Sequence, residues 1–347
     1  MIRAGVAAAL VLLLCQLSPT ASTACLLPPS FPPPETSSTA VFCVDKSGCC
    51  NYTTVQAAVD AIPDNSQKRT IVWINAGIYV EKVTLKKPNV TFQVQGMKAT
   101  TIVWNDTANF AKGTRNSASV HIDAPGFVAK NISFKVIFPP APKPGTEGAQ
   151  AVAIRISGDK AAFSGCGFFG AQDTLLDEQH RHYFKECFIE GSVDFIFGDG
   201  RSLYENSTLN SVAEELPQGQ HSINGAITAQ ARQFPENNTG FSFVGCTIQG
   251  TGWILLGRAW QAYSRVVFAY TYMPGIVASA GWDNWGDERR NRTVFYGEHG
   301  CLGDGANVAG RVAYARSVDD SQVRPFLDAS YIDGEEWLKP FDDALIA

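Results

Sequence analysis

Gln150, Gln172 and Asp194 follow one another at intervals of 22 residues, and Asp173 precedes Asp194 by 21. If the chain winds into coils of that length, residues one coil apart lie on neighbouring strands, about 4.8 Å from each other. The spacing therefore predicts Gln150, Gln172/Asp173 and Asp194 stacked on three successive coils. Two carboxylates that close cannot ionise independently. One pKa rises, which suits a general acid beside an ionised partner. Amide N–H groups from the two glutamines would stand where a developing oxyanion needs donors. Spacing alone also allows these to be ordinary turn residues on an exposed face, because carboxylate pairs occur in structural roles too.

A coil of this length is written elsewhere in the chain. Phe163-Ser-Gly-Cys166-Gly-Phe168-Phe-Gly170 is echoed by Phe184-Lys-Glu-Cys187-Phe-Ile189-Glu-Gly191 and by Phe243-Val-Gly-Cys246-Thr-Ile248-Gln-Gly250, and more loosely by Tyr204-Glu-Asn-Ser207-Thr-Leu209. Positions 166, 187, 207 and 246 are separated by 21, 20 and 39 residues, and the last gap is close to two turns of the same period. A strand-rich repeat of this length signals a solenoid, each coil burying its inward side chains against the next. The Leu-x-x-Leu-x-Leu pattern of leucine-rich repeats is absent. The expected fold is an all-β solenoid, a right-handed parallel β-helix with a short N-terminal capping helix. That helix is expected from Thr53 to Ile62: Thr53-x-x-Gln56 reads as a capping box, Val55, Ala58, Val59 and Ile62 share a face, and Pro63 ends it. Short strands are expected at 70–75, 90–94 and 101–104.

Composition supports a β-rich protein with many tight turns. Of 347 residues 45% are hydrophobic and only 18% charged, with 31 Gly and 18 Pro, which is too apolar for disorder. The formal charge of -5 gives no basic field for nucleic acid or an anionic membrane. Arg3, the apolar run Ala7–Leu17 and the small residues before Cys25 read as a signal peptide over 1–24, too short to span a bilayer. A Pro/Ser/Thr-rich leader follows over 25–40, then one folded domain over 41–347. Secretion fits the eight cysteines left after cleavage, which permit disulfides without revealing their pairing. Sequons at Asn51, Asn89, Asn105, Asn131, Asn206, Asn237 and Asn291 are candidate glycosylation sites. His180-Arg-His182 lacks a third ligand and reads as a solvated or core pair, so no metal and no cofactor is expected.

A longer series of motifs then falls in order: Gly77-x-Tyr79-x-Glu81, Gln150-Ala-Val-Ala-Ile-Arg155, Gln172-Asp173-Thr-Leu175, Asp194-Phe-Ile-Phe-Gly198 and Leu256-Gly-Arg258-x-Trp260. Ile227-Thr-Ala-Gln-Ala-Arg232, Tyr263-Ser-Arg265, Ala280-Gly-Trp282 and Tyr296-Gly-Glu298 extend it. Together they resemble the plant-type pectin methylesterases over residues 41 to 338. The resemblance implies metal-free hydrolysis of methyl-esterified galacturonate in pectin, in the cell wall, by a secreted monomer, with a proteinaceous inhibitor as a further partner. It also implies roles. Asp194 would be the nucleophile, Asp173 the acid and then base, Gln150 and Gln172 the oxyanion donors. Arg258 would orient Asp194 and keep it ionised, while Trp260, Trp282 and Phe197 would line the sugar groove and Thr114 would touch substrate. Two positions depart from the family pattern: Leu176 stands where Tyr is common and Ala259 where Pro is usual. Substrate preference and rate are the properties these would alter.

Three other functions are weighed against this. Serine-esterase chemistry lacks a Gly-x-Ser-x-Gly elbow. A lyase or polygalacturonase on the same fold is a second reading, though a lyase would want calcium-binding carboxylate clusters that the motifs do not supply. A non-catalytic pectin-binding wall protein would not need the aspartate pair.

Overall fold

The computed structural model describes residues 38–338, apart from 65, 67, 95, 138–142 and 144–145. The expected signal peptide and nearly all of the leader lie outside the described residues. The leader's last two residues already belong to the first strand, Thr39–Val44.

Within these bounds the chain winds into a parallel β-helix of three ladders. One, the site ladder, runs through Val83–Leu85, Val120–Ile122, Ile154–Ile156, Leu175–Lys185, Ile196–Glu205, Gly225–Gln230, Ile254–Ala259 and Trp282–Asp283. The second begins with Thr39–Val44 paired to Arg69–Ile74 and ends with Phe295–His299 paired to Ala315–Ser317. The third runs from Gly77–Val80 to Thr247–Thr251. Leu175–Lys185 and Ile196–Glu205 are long enough to serve the site ladder with their first residues and the second ladder with their last.

The sequence repeat has a specific structural cause. Its central residue is a single left-handed corner joining the second ladder to the third. Asn131, Gly165, Glu186, Asn206, Gly245, Tyr270 and Gly300 occupy this corner with φ between 51° and 63°. Just before the corner, the ring of each repeat stacks on the next coil's ring. Phe163 lies 4.9 Å from Phe184, Phe184 4.4 Å from Tyr204, Tyr204 4.5 Å from Phe243, and Phe243 4.5 Å from Phe268. Such offset aromatic pairs add about 0.5–1.5 kcal/mol each beyond the area they bury. Identical geometry on each coil demands similar residues at each coil, and that is the repeat.

One inference from the repeat is corrected. The 39 residues from Ser207 to Cys246 span one coil, because Thr208 pairs directly with Thr247. The extra length sits in the loops at 213–224 and 231–239, which leave the ladders and return to them.

The capping helix is present, one residue out of the expected frame. It spans Val55–Asp60, capped by Thr54, whose hydroxyl accepts from the Ala57 N–H at 3.2 Å. The Glu81 carboxylate accepts from the N–H groups of Val55 and Gln56, both at 2.9 Å. A carboxylate across the fold thus takes the place of a capping box and favours the positive end of the helix. The Gln56 side chain is spent on Asp60 and on the Thr84 N–H. Val55, Ala58 and Val59 close the first coil against the core. Cys43 pairs with Cys50, and Cys49 is disulfide-bonded as well. Cys166, Cys187, Cys246 and Cys301 are free thiols, the first three buried just past the corner, so only part of the cysteine set builds disulfides.

Candidate active site

A second left-handed corner leads into the site ladder, and it holds Asp173 at φ 65° on one coil and Asp194 at φ 49° on the next. Non-glycine residues in this region are uncommon and persist where the surrounding structure over-determines them. Here Gln172 is bridged to Val193, and the Asp173 N–H donates to the Val193 carbonyl at 3.1 Å. Asp173 and Asp194 are therefore direct register partners, as their spacing of 21 predicts. The ladder pairs Ile154 with Leu175 in the same register of 21. The 22-residue interval thus displaces Gln150 and Gln172 by one position along the coil from strict stacking. Both still reach the same cleft.

Arg258 arrives from two coils further on, in register with Ala229, which is itself paired with Phe197. Its guanidinium grips Asp194 with two bonds, Nε to Oδ1 at 2.9 Å and Nη2 to Oδ2. This fork is the strong, oriented form of a carboxylate–arginine contact. The Trp285 ring covers the guanidinium, 4.2 Å from Cζ to centroid, a cation–π contact in a partly desolvated place. Asp194 is only 4% exposed. Burial pushes its pKa up, and Arg258 opposes the rise without cancelling it. Arg258 thus acts in the direction expected of a cation beside Asp194, but desolvation is the larger effect.

Asp173 is pushed further. Burial comes first and the neighbouring Asp194 charge adds to it, with Arg258 opposing, and its pKa stands well above the usual carboxylate range. No hydrogen bond from a described residue reaches its carboxyl group. Both carboxyls are thus displaced upward, Asp173 the further, and each bears on the other, which makes them a coupled site. Gln172 is 8% exposed, and its buried Oε1 has no partner. A buried amide left unsaturated by the fold keeps its hydrogen-bonding capacity for something else.

These groups line one cleft of about 960 Å³, which also takes in Thr114, Gln150, Phe197 and Trp260. A pectinesterase family model matches residues 41–335. A curated protein of Arabidopsis thaliana named "Probable pectinesterase 8" is 53% identical over 314 residues, covering 90% of this chain and 80% of its own. The chain belongs to the pectinesterase family. Among solved structures, pectin methylesterase from carrot superimposes with a TM-score of 0.80 at 30% identity, covering 89% of this chain and 98% of that one. Pectin methylesterase from Aspergillus niger does so with 0.73 at 25%, covering 88% and 96%. This pectinesterase-family chain is accordingly a carboxylic ester hydrolase on a parallel β-helix.

The groove of this pectinesterase-family member differs from the expected one at a tryptophan. Trp260 lies on the cleft, 37% exposed, with its ring 6.0 Å from that of Phe197. Trp282 does not: it is 1% exposed, stacked on Tyr296 at 4.2 Å, and its Nε1 donates to Glu298 at 3.0 Å. The site-ladder strand points residue 282 into the core, and Trp285, three residues on at φ 62°, is the one that meets the cleft. The Trp-x-x-Trp spacing was the available signal for it. Leu176 is buried in a small cluster with Ala118, Val152, Phe197 and Ala229, and with Phe197 and Ala229 it forms part of the cleft lining. Ala259 lacks proline's restraint, yet Arg290 donates to the carbonyls of both Ala259 and Trp260 and ties that backbone down. The sequence reading also missed Glu178, which lines the cleft and is held by Arg155 at 2.5 Å and Arg115 at 2.6 Å. Among the described residues no cluster of His, Cys, Asp and Glu has the arrangement of a metal site.

Proposed function

We propose that this chain hydrolyses the methyl esters of galacturonate units in pectin by a covalent two-aspartate mechanism. The observation that carries it is the unequal pair: Asp194 gripped in a fork by Arg258, beside Asp173, which takes no hydrogen bond from the described residues and has a strongly raised pKa. The Asp194 carboxylate attacks the ester carbonyl. Charge that develops on the carbonyl oxygen is met by the amide groups of Gln172 and Gln150. Asp173 gives its proton to the leaving methoxide, releasing methanol and leaving an acyl anhydride on Asp194. Asp173, now ionised, takes a proton from water as the hydroxide attacks the anhydride. The galacturonate leaves as a free acid, and both aspartates return to their starting states. Arg258 holds Asp194 in its attacking geometry throughout. Trp260 and Phe197 offer flat apolar faces for sugar rings, and Thr114 borders the same cleft.

We read the working unit as a monomer, since every group in the site comes from one chain. Secretion to the cell wall follows from the leader-type sequence over 1–24, and a mature N-terminus at Cys25 is its check. A proteinaceous inhibitor would have to cover the open cleft. The deciding experiment is methanol release from highly esterified pectin by the mature protein, with and without chelator. Release that survives chelation supports this reading. A product absorbing in the ultraviolet would replace it with a lyase.

A further inference from the structure

A second cavity, of about 520 Å³, shares no lining residue with the cleft. It sits on the second ladder, where Arg265 opens the strand Arg265–Ala269 and the C-terminal segment brings Phe326, Ser330 and Tyr331 against it. No acidic residue lines it, although the chain as a whole carries a charge of -5. Arg201, on its wall, is already neutralised by Asp333 at 2.8 Å and 3.1 Å. Arg265 has no carboxylate partner among the described residues: its guanidinium donates to the Asn238 amide oxygen at 3.3 Å and to the Tyr331 hydroxyl oxygen. Tyr331 is 5% exposed, and among the described residues no acceptor receives its buried O–H.

Arg265 without a carboxylate and the Tyr331 O–H without an acceptor among the described residues therefore stand side by side. Gly240, at φ 152°, makes their approach possible: a Cβ there would lie 2.8 Å from Tyr331 Oη and 2.9 Å from Arg265 Cδ. Burial pushes the Tyr331 phenol up to about 12, so it remains a donor under ordinary conditions. A buried O–H without an acceptor next to a guanidinium without a carboxylate calls for an acceptor carrying negative charge. Phe295 and Phe326, with rings 5.7 Å apart, add an aromatic wall. Aromatic faces beside a cation suit a carboxylate attached to a ring with an apolar face, more than a bare inorganic anion.

We infer that this pocket binds a free uronate, its carboxylate on Arg265 and the Tyr331 hydroxyl and its sugar ring against Phe295 and Phe326. The inference rests on the proposed pectin reaction, because de-esterified galacturonate is the product that reaction makes. A methyl ester, lacking the charge, would be refused. The pocket would tether the protein to pectate already produced while the cleft engages fresh ester. It also gives a role to Arg265 of the Tyr263-Ser-Arg265 motif, a residue that does not line the cleft.

The test is equilibrium dialysis of the full mature chain with trigalacturonate, with its methyl-esterified form and with inorganic sulfate, at low salt. Wild type should show a class of trigalacturonate sites that R265Q lacks. Tyr331→Phe should weaken that class roughly 10- to 100-fold, the range for a hydrogen bond to a charged group. Both variants should keep wild-type methanol release, which also reports that they fold. If R265Q does not fold, Tyr331→Phe, which removes only a hydroxyl, carries the test. Superimposable isotherms for wild type and variants would overturn the inference. So would equal affinity for the methyl ester, or displacement by sulfate as effective as by galacturonate. If wild type releases no methanol yet the Arg265-dependent class is present, the reaction assignment fails and the pocket stands.

Discussion

Asp173 and Asp177 lie four residues apart on the same coil, and the fold treats the two carboxylates in opposite ways. Asp177 is fully buried and saturated. His182 Nδ1 meets one oxygen at 2.5 Å, and the Tyr204 hydroxyl donates to the other at 2.6 Å. His182 Nε2 in turn lies 3.1 Å from the Gly158 carbonyl, so the imidazole is anchored at both nitrogens. Gly200 on the next coil leaves space for the carboxylate, which a Cβ there would strike. Asp173 receives no hydrogen bond from the described residues and instead faces the charge of Asp194. Asp177 is the more deeply buried of the two, so burial by itself does not make a carboxylate reactive. The absence of compensating partners does, and it is tolerable only because the Asp173 carboxyl can take up a proton.

The largest expected effect is on the reactive side. Asp194→Asn should abolish methanol release while circular dichroism and pectin binding persist, and near-normal turnover would show that the nucleophile lies elsewhere. Asp177→Asn should act on the other side of the comparison. Leaving a buried donor of this hydrogen-bond network without its acceptor costs about 1–3 kcal/mol, visible as a lower urea midpoint, whereas the protein that remains folded should still turn over. A variant with unaltered stability and lost activity would reverse the roles given to the two aspartates.

Asp173→Asn should lower turnover by roughly 10²–10⁴-fold, the range for a positioned acid–base group. It should also stabilise the fold, and the sign follows from linkage. A carboxyl whose folded pKa is raised contributes its stability at acid pH and loses it as pH rises through that pKa. Asparagine is neutral throughout, so the gain in thermal midpoint should be larger near neutral pH than in acid. A midpoint lowered at every pH would mean that Asp173 is structural, as Asp177 is.

Gln172→Ala should cost about 10²–10³-fold in turnover through the lost oxyanion donor. Because its amide oxygen has no partner in the fold, stability should hardly change, and a large drop in the urea midpoint would contradict that. The smallest effect is expected at Leu176, beside Phe197 in the cleft lining. Leu176→Tyr should carry a ring up beside Phe197 and lower the apparent KM for pectin by a few-fold, in keeping with about 0.5–1.5 kcal/mol for an added aromatic contact. An unchanged KM would show that the cleft is already closed there.

Much of this was legible before any coordinates. The Asp173–Asp194 interval of 21 equals the ladder register, and the Phe-x-x-Cys repeat marks one left-handed corner after another. Both are local signals, repeated because each coil meets only its neighbours. Thr53 was misread as the cap because Thr54 stands next to it and the real competitor, Glu81, arrives from a distant strand. Trp282 was placed in the groove because a motif does not say which way a side chain points, and a shift of one residue in a strand reverses its face.

The sequence by itself determined the coil length, the corners and the residue types that stand at them, since periodic spacing is written along one dimension. The tertiary structure decided which of those residues are satisfied. Asp177 is quenched by Tyr204, 27 residues away, and Asp194 is held by Arg258, 64 residues away. Arg201 is neutralised by Asp333, 132 residues away, while Arg265 meets no carboxylate among the described residues. Partnership over such separations depends on how coils and the C-terminal segment pack, and desolvation follows from that packing alone, so reactivity in this protein is a tertiary property laid on a repeat that the sequence spells out.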